Sequence, residues 1–270
     1  MSVDVAARAV AAMRERCTEP LSLAEMASDA GFSPTYFDRL FRSVTGVPPG
    51  MYQAALRLDE AKRLLLAQAG SVTEICFALG YESLGTFTRI FTESVGATPG
   101  RLRETLSRAE SEGLLERMHA LRSPWPAPPR RQLGVAGEIR CEGAGEVTIF
   151  AGLFPRPIPR SRPVAGQVLA GPGEFRLAPV PDGRYFLLAA AFPRAPSLLA
   201  YVVPRDPLRV GSVGPVDVEG GRSSRVELAL HPVTPISPPI LTALPLLAVE
   251  LCAAAAPEDK IGEARRVWWW

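Results

Sequence analysis

The chain has 270 residues, of which 30 are basic and 28 are acidic, so its net charge at pH 7 is +2. A composition of 47% apolar and 21% charged residues excludes a disordered protein, and the length suffices for two domains with separate cores. The N-terminus has no unbroken apolar run of the signal-peptide kind. The apolar segment 240–256 is interrupted by Pro245 and Glu250, which favours a buried segment over a membrane span. These features predict a cytoplasmic protein without a membrane partner.

The N-terminal half contains two copies of one sequence pattern. The stretch SLAEMASDAGF at 22–32 matches SVTEICFALGY at 71–81 with a constant offset of 49, and beyond the glycine the offset becomes 50. Matched pairs beyond the glycine are Phe37 and Phe87, Arg39 and Arg89, Phe41 and Phe91, and Gly46 and Gly96. Two copies are too few for a solenoid, which needs at least about three stacked repeats. The duplication favours a binding unit that is used twice.

Each copy predicts a short helix, a glycine turn and a second helix. Ser22 and Ser71 each precede a glutamate by three residues, which is the capping-box arrangement at a helix start. The first helix is expected to end at Gly31 or Gly80, where a left-handed backbone costs little. In the first copy Ser33 then caps the second helix, with a proline at its first position.

The second helix of each copy has two contrasting faces. Its apolar residues recur at helical spacing and predict a buried face: Phe37, Leu40, Phe41 and Val44. The opposite face is polar, and this pairing of faces predicts a helix-turn-helix whose second helix lies in the DNA major groove. Arginine can bond guanine O6 and N7 together, and threonine can contact the thymine methyl group. The candidate DNA-binding residues are Ser33, Thr35, Asp38, Arg39, Arg42, Ser83, Gly85, Thr88, Arg89 and Thr92.

Two charge features qualify this interface. Asp38 has two interpretations that stay open: a bond to a cytosine amino group, or an i,i+4 pair with Arg42. Residues 1–108 contain 12 basic and 12 acidic side chains, whereas a typical DNA-binding domain is distinctly basic. We therefore expect weak non-specific DNA binding.

The segment 50–70 between the copies predicts a long helix. It consists of good helix formers, and its apolar residues are helically spaced: Met51, Ala55, Leu58, Ala61 and Leu65. Such a helix spans about 27–30 Å at about 1.5 Å per residue, and successive turns of major groove lie about 34 Å apart. The duplication is thus explained if one chain enters two adjacent turns of the groove, with this helix as the spacer.

Residues 5–104 resemble the AraC/XylS family of transcription regulators. The resemblance is carried, in order and spacing, by LSLAEMASDAGFSPTYFDRLFRSVTGVPPGMY, RLDEAKRLLL and VTEICFALGYESLGTFTRIFTESVGATPGRLR. It implies two helix-turn-helix units joined by a long helix, and a sequence-specific regulator. Two departures are Leu102, where the family has an aromatic residue before Arg103, and Leu84-Gly85, which leaves the second reading helix few side chains for base contact.

Proline use divides the chain, with five of 27 prolines in residues 1–122. We expect a DNA-binding domain with a trailing helix over 1–122 and an extended linker over 123–133. Alternating apolar residues and turn signals beyond the linker predict six to eight short strands, a β-sandwich over 134–250 and a tail over 251–270. GEFRLAPVPDGRYFLLAA resembles transthyretin-like or carboxypeptidase-regulatory-like sandwiches. The predicted fold class is multidomain, an all-α double helix-turn-helix domain followed by an all-β sandwich domain.

Cysteine and histidine usage argues against catalysis and metal binding. Four cysteines stand far apart, without a Cys-x-x-Cys or Cys/His cluster, and are expected to be buried thiols: Cys17, Cys76, Cys141 and Cys252. Two histidines, His119 and His231, offer little material for a metal site or a Ser-His-Asp arrangement. We expect no cofactor and no enzymatic activity.

The sequence leaves two functional hypotheses. The first is a sequence-specific regulator whose partner is double-stranded DNA and whose strand region senses a ligand or pairs subunits. The alternative is an interaction or structural adaptor whose sandwich binds a partner protein while the helical domain tethers it weakly to DNA. A homodimer, a contact with RNA polymerase and a small-molecule effector are further candidate partners.

Overall fold

A computed structural model describes residues 2–19, 21–104, 134–143, 145–194, 197, 199–203, 208–219 and 224–243. A helical N-terminal region is followed by a region rich in strands, as the sequence predicts at this level of detail. Most of the predicted trailing helix, the linker 123–133 and the tail 251–270 lie outside the described residues. Within the described residues, no helix has the length and apolar character that crossing a bilayer requires.

Within the described residues, the N-terminal region contains six helices whose two ends are both described: α1 Ser2–Glu15, α2 Leu23–Asp29, α3 Pro34–Thr45, α4 Pro49–Leu66, α5 Val72–Ala78 and α6 Leu84–Val95. Residues 99–104 are also helical. Helices α2 and α3 form the first helix-turn-helix unit, and α5 and α6 form the second. Both capping boxes are present, because Ser22 and Glu25, and likewise Ser71 and Glu74, bond each other's backbone N–H groups. These reciprocal bonds satisfy donors that a helix start otherwise leaves unpaired.

The turn glycines are required by backbone geometry. Gly31 and Gly80 both have a φ of +75°, a conformation that L side chains rarely adopt. At Gly80 an added Cβ would also lie 2.4 Å from the Thr18 carbonyl oxygen, so the chain packs closely there. The predicted end of the first helix in each copy is therefore confirmed, and its reason is the same in both.

The described part of the second region contains eight strands and a short helix: β1 Val135–Arg140, β2 Val147–Phe154, β3 Ala165–Leu169, β4 Gly173–Leu177, β5 Gly183–Pro193, α7 Leu199–Val202, β6 Arg209–Val218, β7 Ser224–Ala229 and β8 His231–Pro232. They make a three-stranded sheet of order β4-β1-β7 and a five-stranded sheet of order β3-β2-β5-β6-β8. The β1–β7 pair is parallel, and the other pairs are antiparallel. Inward side chains of both sheets, among them Ile139 and Leu187, share one buried cluster.

Two inner strands of the five-stranded sheet are buried on both faces. Strand β2 is buried at every residue after Val147, and β5 is buried continuously from Leu187 to Phe192. Phe150 and Phe192 point away from the three-stranded sheet and belong to the same core cluster as the helices. The described residues thus form three layers, with the five-stranded sheet between the other sheet and the helical region.

Polar bonds fix the junction between the helical and strand regions. Lys62 of α4 is fully buried, lies 3.0 Å from Asp59 and donates hydrogen bonds to the carbonyl oxygens of Val202 and Ile240. Nothing in the sequence signalled this burial, because lysine is usually exposed. The side chain is accommodated because each donor finds an oxygen at the junction.

Two of the three cysteines that the structure describes are buried, as predicted, and the third is only partly buried. Cys76 and Cys141 are buried and Cys17 is half-buried, and all three are free. Burial raises the pKa of each of these thiols. Cys252 and His119 lie outside the described residues.

Candidate nucleic-acid interface

Helix α3 presents a buried aromatic face and an exposed polar face. Phe37 and Phe41 are fully buried, and the Phe41 ring meets Tyr52 of α4 edge-on with centroids 5.4 Å apart. Leu40 and Val44, which the sequence places on the same buried face, are only partly buried because they lie at its margins. The aromatic contacts hold the helix so that its opposite face is turned to solvent.

The polar face of α3 carries the first set of predicted contacts. Thr35, Arg39 and Arg42 are exposed, and Asp38 is half-buried. A carboxylate oxygen of Asp38 lies 3.8 Å from a guanidinium nitrogen of Arg42, so the i,i+4 ion pair is present but loose. Arg39 makes no ion pair or hydrogen bond within the part of the chain that the structure describes, and its guanidinium is available to a ligand.

Ser33 and Ser83 occupy the N-cap positions of the two second helices. The Ser83 hydroxyl accepts a hydrogen bond from the Thr86 backbone N–H at 3.2 Å. Ser33 is the N-cap of α3, followed by Pro34, but its side chain makes no capping bond. Both serines are exposed, beside backbone N–H groups that favour negative charge.

The polar face of α6 is less available than that of α3. Arg89 is exposed and donates to Glu93 at 3.0 Å. The Thr92 hydroxyl donates to the Thr88 carbonyl oxygen at 2.7 Å, and both threonines are half-buried. Gly85 is exposed and has no side chain. The two copies therefore share a backbone plan but offer different side chains to a groove.

Helix α4 has the length that a spacer needs. It covers 18 residues, which corresponds to about 27 Å at about 1.5 Å per residue. Its end is held by Arg103, which donates to the carbonyl oxygens of Leu65 and Gly70. Leu102, where the sequence departs from the family pattern, is fully buried. The predicted long helix between the two units is present.

Two exposed apolar side chains beside the polar faces were missed by the sequence prediction. Tyr36 of α3 is 44% exposed and lies against Phe32, and Leu84 at the start of α6 is 39% exposed. Each stands next to a candidate residue in the sequence, Thr35 or Gly85. Adjacency alone did not signal this exposure, because Phe37 and Phe41 are also next to candidate residues and are fully buried.

Similar proteins match the N-terminal region. The sequence profile of a family described as "Helix-turn-helix domain" matches residues 26–105. The chain is 37% identical over 97 residues to an uncharacterized HTH-type transcriptional regulator, YobQ, of Bacillus subtilis, which covers 36% of this chain and 40% of that protein. A solved AraC-type transcriptional regulator from Chromobacterium violaceum is 32% identical and covers 36% of this chain and 86% of that chain, with a TM-score of 0.34.

One relative is matched over nearly all of its length. The regulatory protein SoxS of Escherichia coli is 33% identical over 97 residues, which are 36% of this chain and 91% of that protein. Longer relatives are matched over less, since the chain spans 40% of the Bacillus protein and 30% of the Escherichia coli right origin-binding protein. With helix-turn-helix units at the matched positions, the chain belongs to the AraC family of helix-turn-helix transcriptional regulators.

Proposed function

We propose that this protein is a sequence-specific regulator of transcription that binds double-stranded DNA with α3 and α6 in adjacent turns of the major groove. The observation that carries the proposal is the repeated exposed face, with Arg39 and Arg89 at matching positions on helices held by matching aromatic cores. The 18-residue α4 supplies a spacer of suitable length. In this proposal the protein acts in the cytoplasm and has no catalytic activity.

The residues of the two reading helices have different proposed roles. Arg39 bonds a guanine edge, and Thr35 contacts a thymine methyl group. Arg42 contacts phosphate after its loose pair with Asp38 opens. Ser33 and Ser83, at the helix starts, bond phosphate and fix the register of the helices. Helix α6, with Gly85, Thr88, Arg89 and Thr92, reads fewer bases than α3.

Selection of duplexes from a random library tests the proposal. The bound sequences are expected to share a motif, and the full chain is expected to prefer the selected duplex over random DNA by about a thousandfold or more at physiological salt. Because residues 1–108 carry no net charge, the affinity for random DNA should be low. A library that yields no shared motif, or equal affinities for selected and random duplexes, would favour the adaptor alternative.

For the strand region, the proposal is a β-sandwich of the transthyretin-like kind that senses a small molecule. A cavity of about 560 Å³ lies between the end of α3 and the five-stranded sheet, and ligand sites commonly occupy about 300–1,000 Å³. Thr45 and Gly46 line one side, and Ala190 and Ser212 line the other. Most of its lining is apolar, which suits an uncharged, largely apolar effector. Such a ligand would touch the reading helix and the sheet together.

The neutral fluorophore N-phenyl-1-naphthylamine serves as the probe for this cavity. Its fluorescence should rise on addition of the full chain and should rise at least several-fold less with Ser212→Phe, whose ring fills the space. Ser28→Phe, on the exposed surface of α2, is the matched control and should behave like wild type. Equal fluorescence with Ser212→Phe and wild type would remove this cavity as the probe's site.

Pairing of two subunits through the strand region is the remaining part of the proposal, together with a contact to RNA polymerase. A second subunit raises affinity through effective concentration, which helps a helical region without net charge. Sedimentation of the full chain with and without the selected duplex measures the stoichiometry. A single chain per duplex at every concentration would leave sensing as the role of the strand region.

A further inference from the structure

The segment 155–163 between β2 and β3 carries a concentration of positive charge. In nine residues it has three arginines and no acidic residue, and we refer to it as the arginine loop: Arg156, Arg160 and Arg162. Elsewhere the balance is even, since the whole chain has a net charge of +2. The loop belongs to the strand region in sequence, and it also contacts the second helix-turn-helix unit.

Backbone bonds hold the arginine loop against the C-terminal end of α6. Ser161 donates its N–H to the Ser94 carbonyl oxygen. The segment 241–243 is bonded to both α6 and the arginine loop. Ala243 donates to the Val95 carbonyl oxygen of α6 at 3.1 Å, and Thr242 donates to the carbonyl oxygens of Pro159 and Ser161 in the loop. These bonds fix the position of the loop relative to the reading helix.

Side chains complete this attachment. Ile158 is buried in the core cluster that contains the helices. The Arg162 side chain lies beside Gly96, which caps the end of α6. A Cβ atom added at Gly96 would be 3.7 Å from the Cγ atom of Arg162. The arginine loop is therefore anchored by packing at its centre and by contact at its end.

An acidic side chain links the arginine loop to the predicted reading face. Glu93 on α6 accepts from Arg89 at 3.0 Å through one oxygen, and its other oxygen lies 3.8 Å from Arg160. Arg89, Glu93 and Arg160 have exposed fractions of 62%, 49% and 30%, so the three charges share one solvent-facing surface. Arg160 of the strand region is thus separated only by the Glu93 carboxylate from Arg89, a residue proposed to contact DNA.

The position of Arg160 matters for DNA binding because the helical region has no net positive charge. Each phosphate neutralised by Lys or Arg contributes to affinity through counterion release. Residues 1–108 offer no excess of positive charge, and Glu93 places a negative charge beside the reading face of α6. Arg160 offsets that charge, and Arg156 is exposed on the same loop.

We propose that the arginine loop is a phosphate-contacting surface, so that the strand region takes part in holding the DNA whose groove α6 enters. The proposal rests on the proposed function and adds a second, sequence-independent part to the interface. It assigns the loop to the sugar–phosphate backbone beside the second unit, where α6 itself reads little. Phosphate contacts of this kind position a protein without specifying bases.

The test compares two triple variants of the full chain with the same change in net charge. Arg156→Gln, Arg160→Gln and Arg162→Gln together remove the charge of the loop. The control replaces three arginines of the strand region that are paired with carboxylates away from the loop by glutamine: Arg140, Arg184 and Arg194. Affinity for the selected duplex is measured from about 50 to 200 mM salt, a range that resolves counterion release.

The loop variant should lose about tenfold to a hundredfold in affinity. Its plot of log affinity against log salt should become shallower by about two units, because each lost phosphate contact removes about 0.9 from the slope. The control should keep the wild-type slope to within about half a unit. The same three positions changed to lysine should keep most of the slope, because lysine also neutralises phosphate, whereas a packing role of the guanidinium groups would not be rescued. Melting temperatures of all variants report whether they fold.

Slopes that agree between the loop variant, the control and wild type would overturn this proposal and leave the proposed function intact. A loop variant that melts like wild type but loses affinity without any change of slope would also contradict it. Failure of the proposed function would appear earlier, as wild-type protein that does not distinguish the selected duplex from random DNA.

Discussion

Arg39 and Arg89 stand at equivalent positions of the two units but have different surroundings. Arg39 has no partner within the described part of the chain, whereas Arg89 is paired with Glu93. The helical period predicted the exposure of both arginines. The Arg89–Glu93 pair could also have been predicted from the i,i+4 spacing, but the approach of Arg160 depends on a contact between regions far apart in sequence.

The two arginines should therefore differ in their contribution to DNA binding. Arg39→Ala is expected to cost about 1–3 kcal/mol of specific affinity, the worth of one good base contact. Arg89→Ala should cost less, because the wild-type side chain must first leave Glu93. Isotherms on the selected duplex measure both, with Arg184→Ala as an exposed control. An Arg39→Ala protein that binds as tightly as that control would show that the reading face is misplaced.

The helix elements were predicted more completely than the strands. The serine–glutamate spacing located both capping boxes, and the glycines located the turns. In β5 the alternation beginning at Tyr185 was correct, but burial becomes continuous from Leu187. An unbroken apolar run is typical of a strand covered on both faces. The layer that covers the second face could not be predicted, because it is the helical region itself.

The capping boxes should make stability depend on pH. The Ser71 backbone N–H, with the Ser71 hydroxyl, lowers the pKa of the Glu74 carboxyl below its ordinary value. A lowered folded-state pKa gives stability that is present above the unfolded pKa, about 4.3, and is lost as the pH falls through the folded value. Urea midpoints should therefore be higher for wild type than for Glu74→Gln at pH 7. The difference should shrink as the pH falls below the unfolded pKa, and a difference that stayed constant would exclude the charge as its source.

The buried face of the second reading helix should govern stability. Phe87 is fully buried between Tyr81 and Phe91, whereas Phe77 on the preceding helix is 55% exposed. Phe87→Ala is expected to cost about 3–5 kcal/mol of unfolding free energy, and Phe77→Ala less than about 0.5 kcal/mol. Urea unfolding of the two variants gives the comparison. Equal losses would mean that the buried and exposed faces are wrongly assigned.

The whole molecule is held together by a core that crosses between its helical and strand regions. Lys62 bonds carbonyl oxygens of the strand region, and the Tyr52 hydroxyl donates to the Ser237 carbonyl oxygen at 2.8 Å. Burial raises the pKa of Tyr52 to about 12, so this donor stays protonated at physiological pH. Composition and periodicity predicted two regions, but neither could predict this junction, since both bonds join residues more than 130 positions apart.

Lys62→Met should destabilise the whole chain. The change leaves Asp59 without its partner and two carbonyl oxygens without a donor, and breaking a buried pair on one side costs about 3–5 kcal/mol. Adding Asp59→Leu should recover part of the loss by removing the unpaired carboxylate. Urea midpoints of the single and double variants are the measurement. A Lys62→Met protein as stable as wild type would mean that the junction is not closed in solution.

Methylation protection of guanine N7 on the selected duplex tests the central claim most directly, because N7 lies in the major groove. If α3 and α6 enter adjacent turns, bound protein should protect two windows on one face of the duplex, about 10 base pairs apart. Arg39→Ala should weaken protection in one window and Arg89→Ala in the other. A single protected window, or two windows on opposite faces of the duplex, would contradict the account.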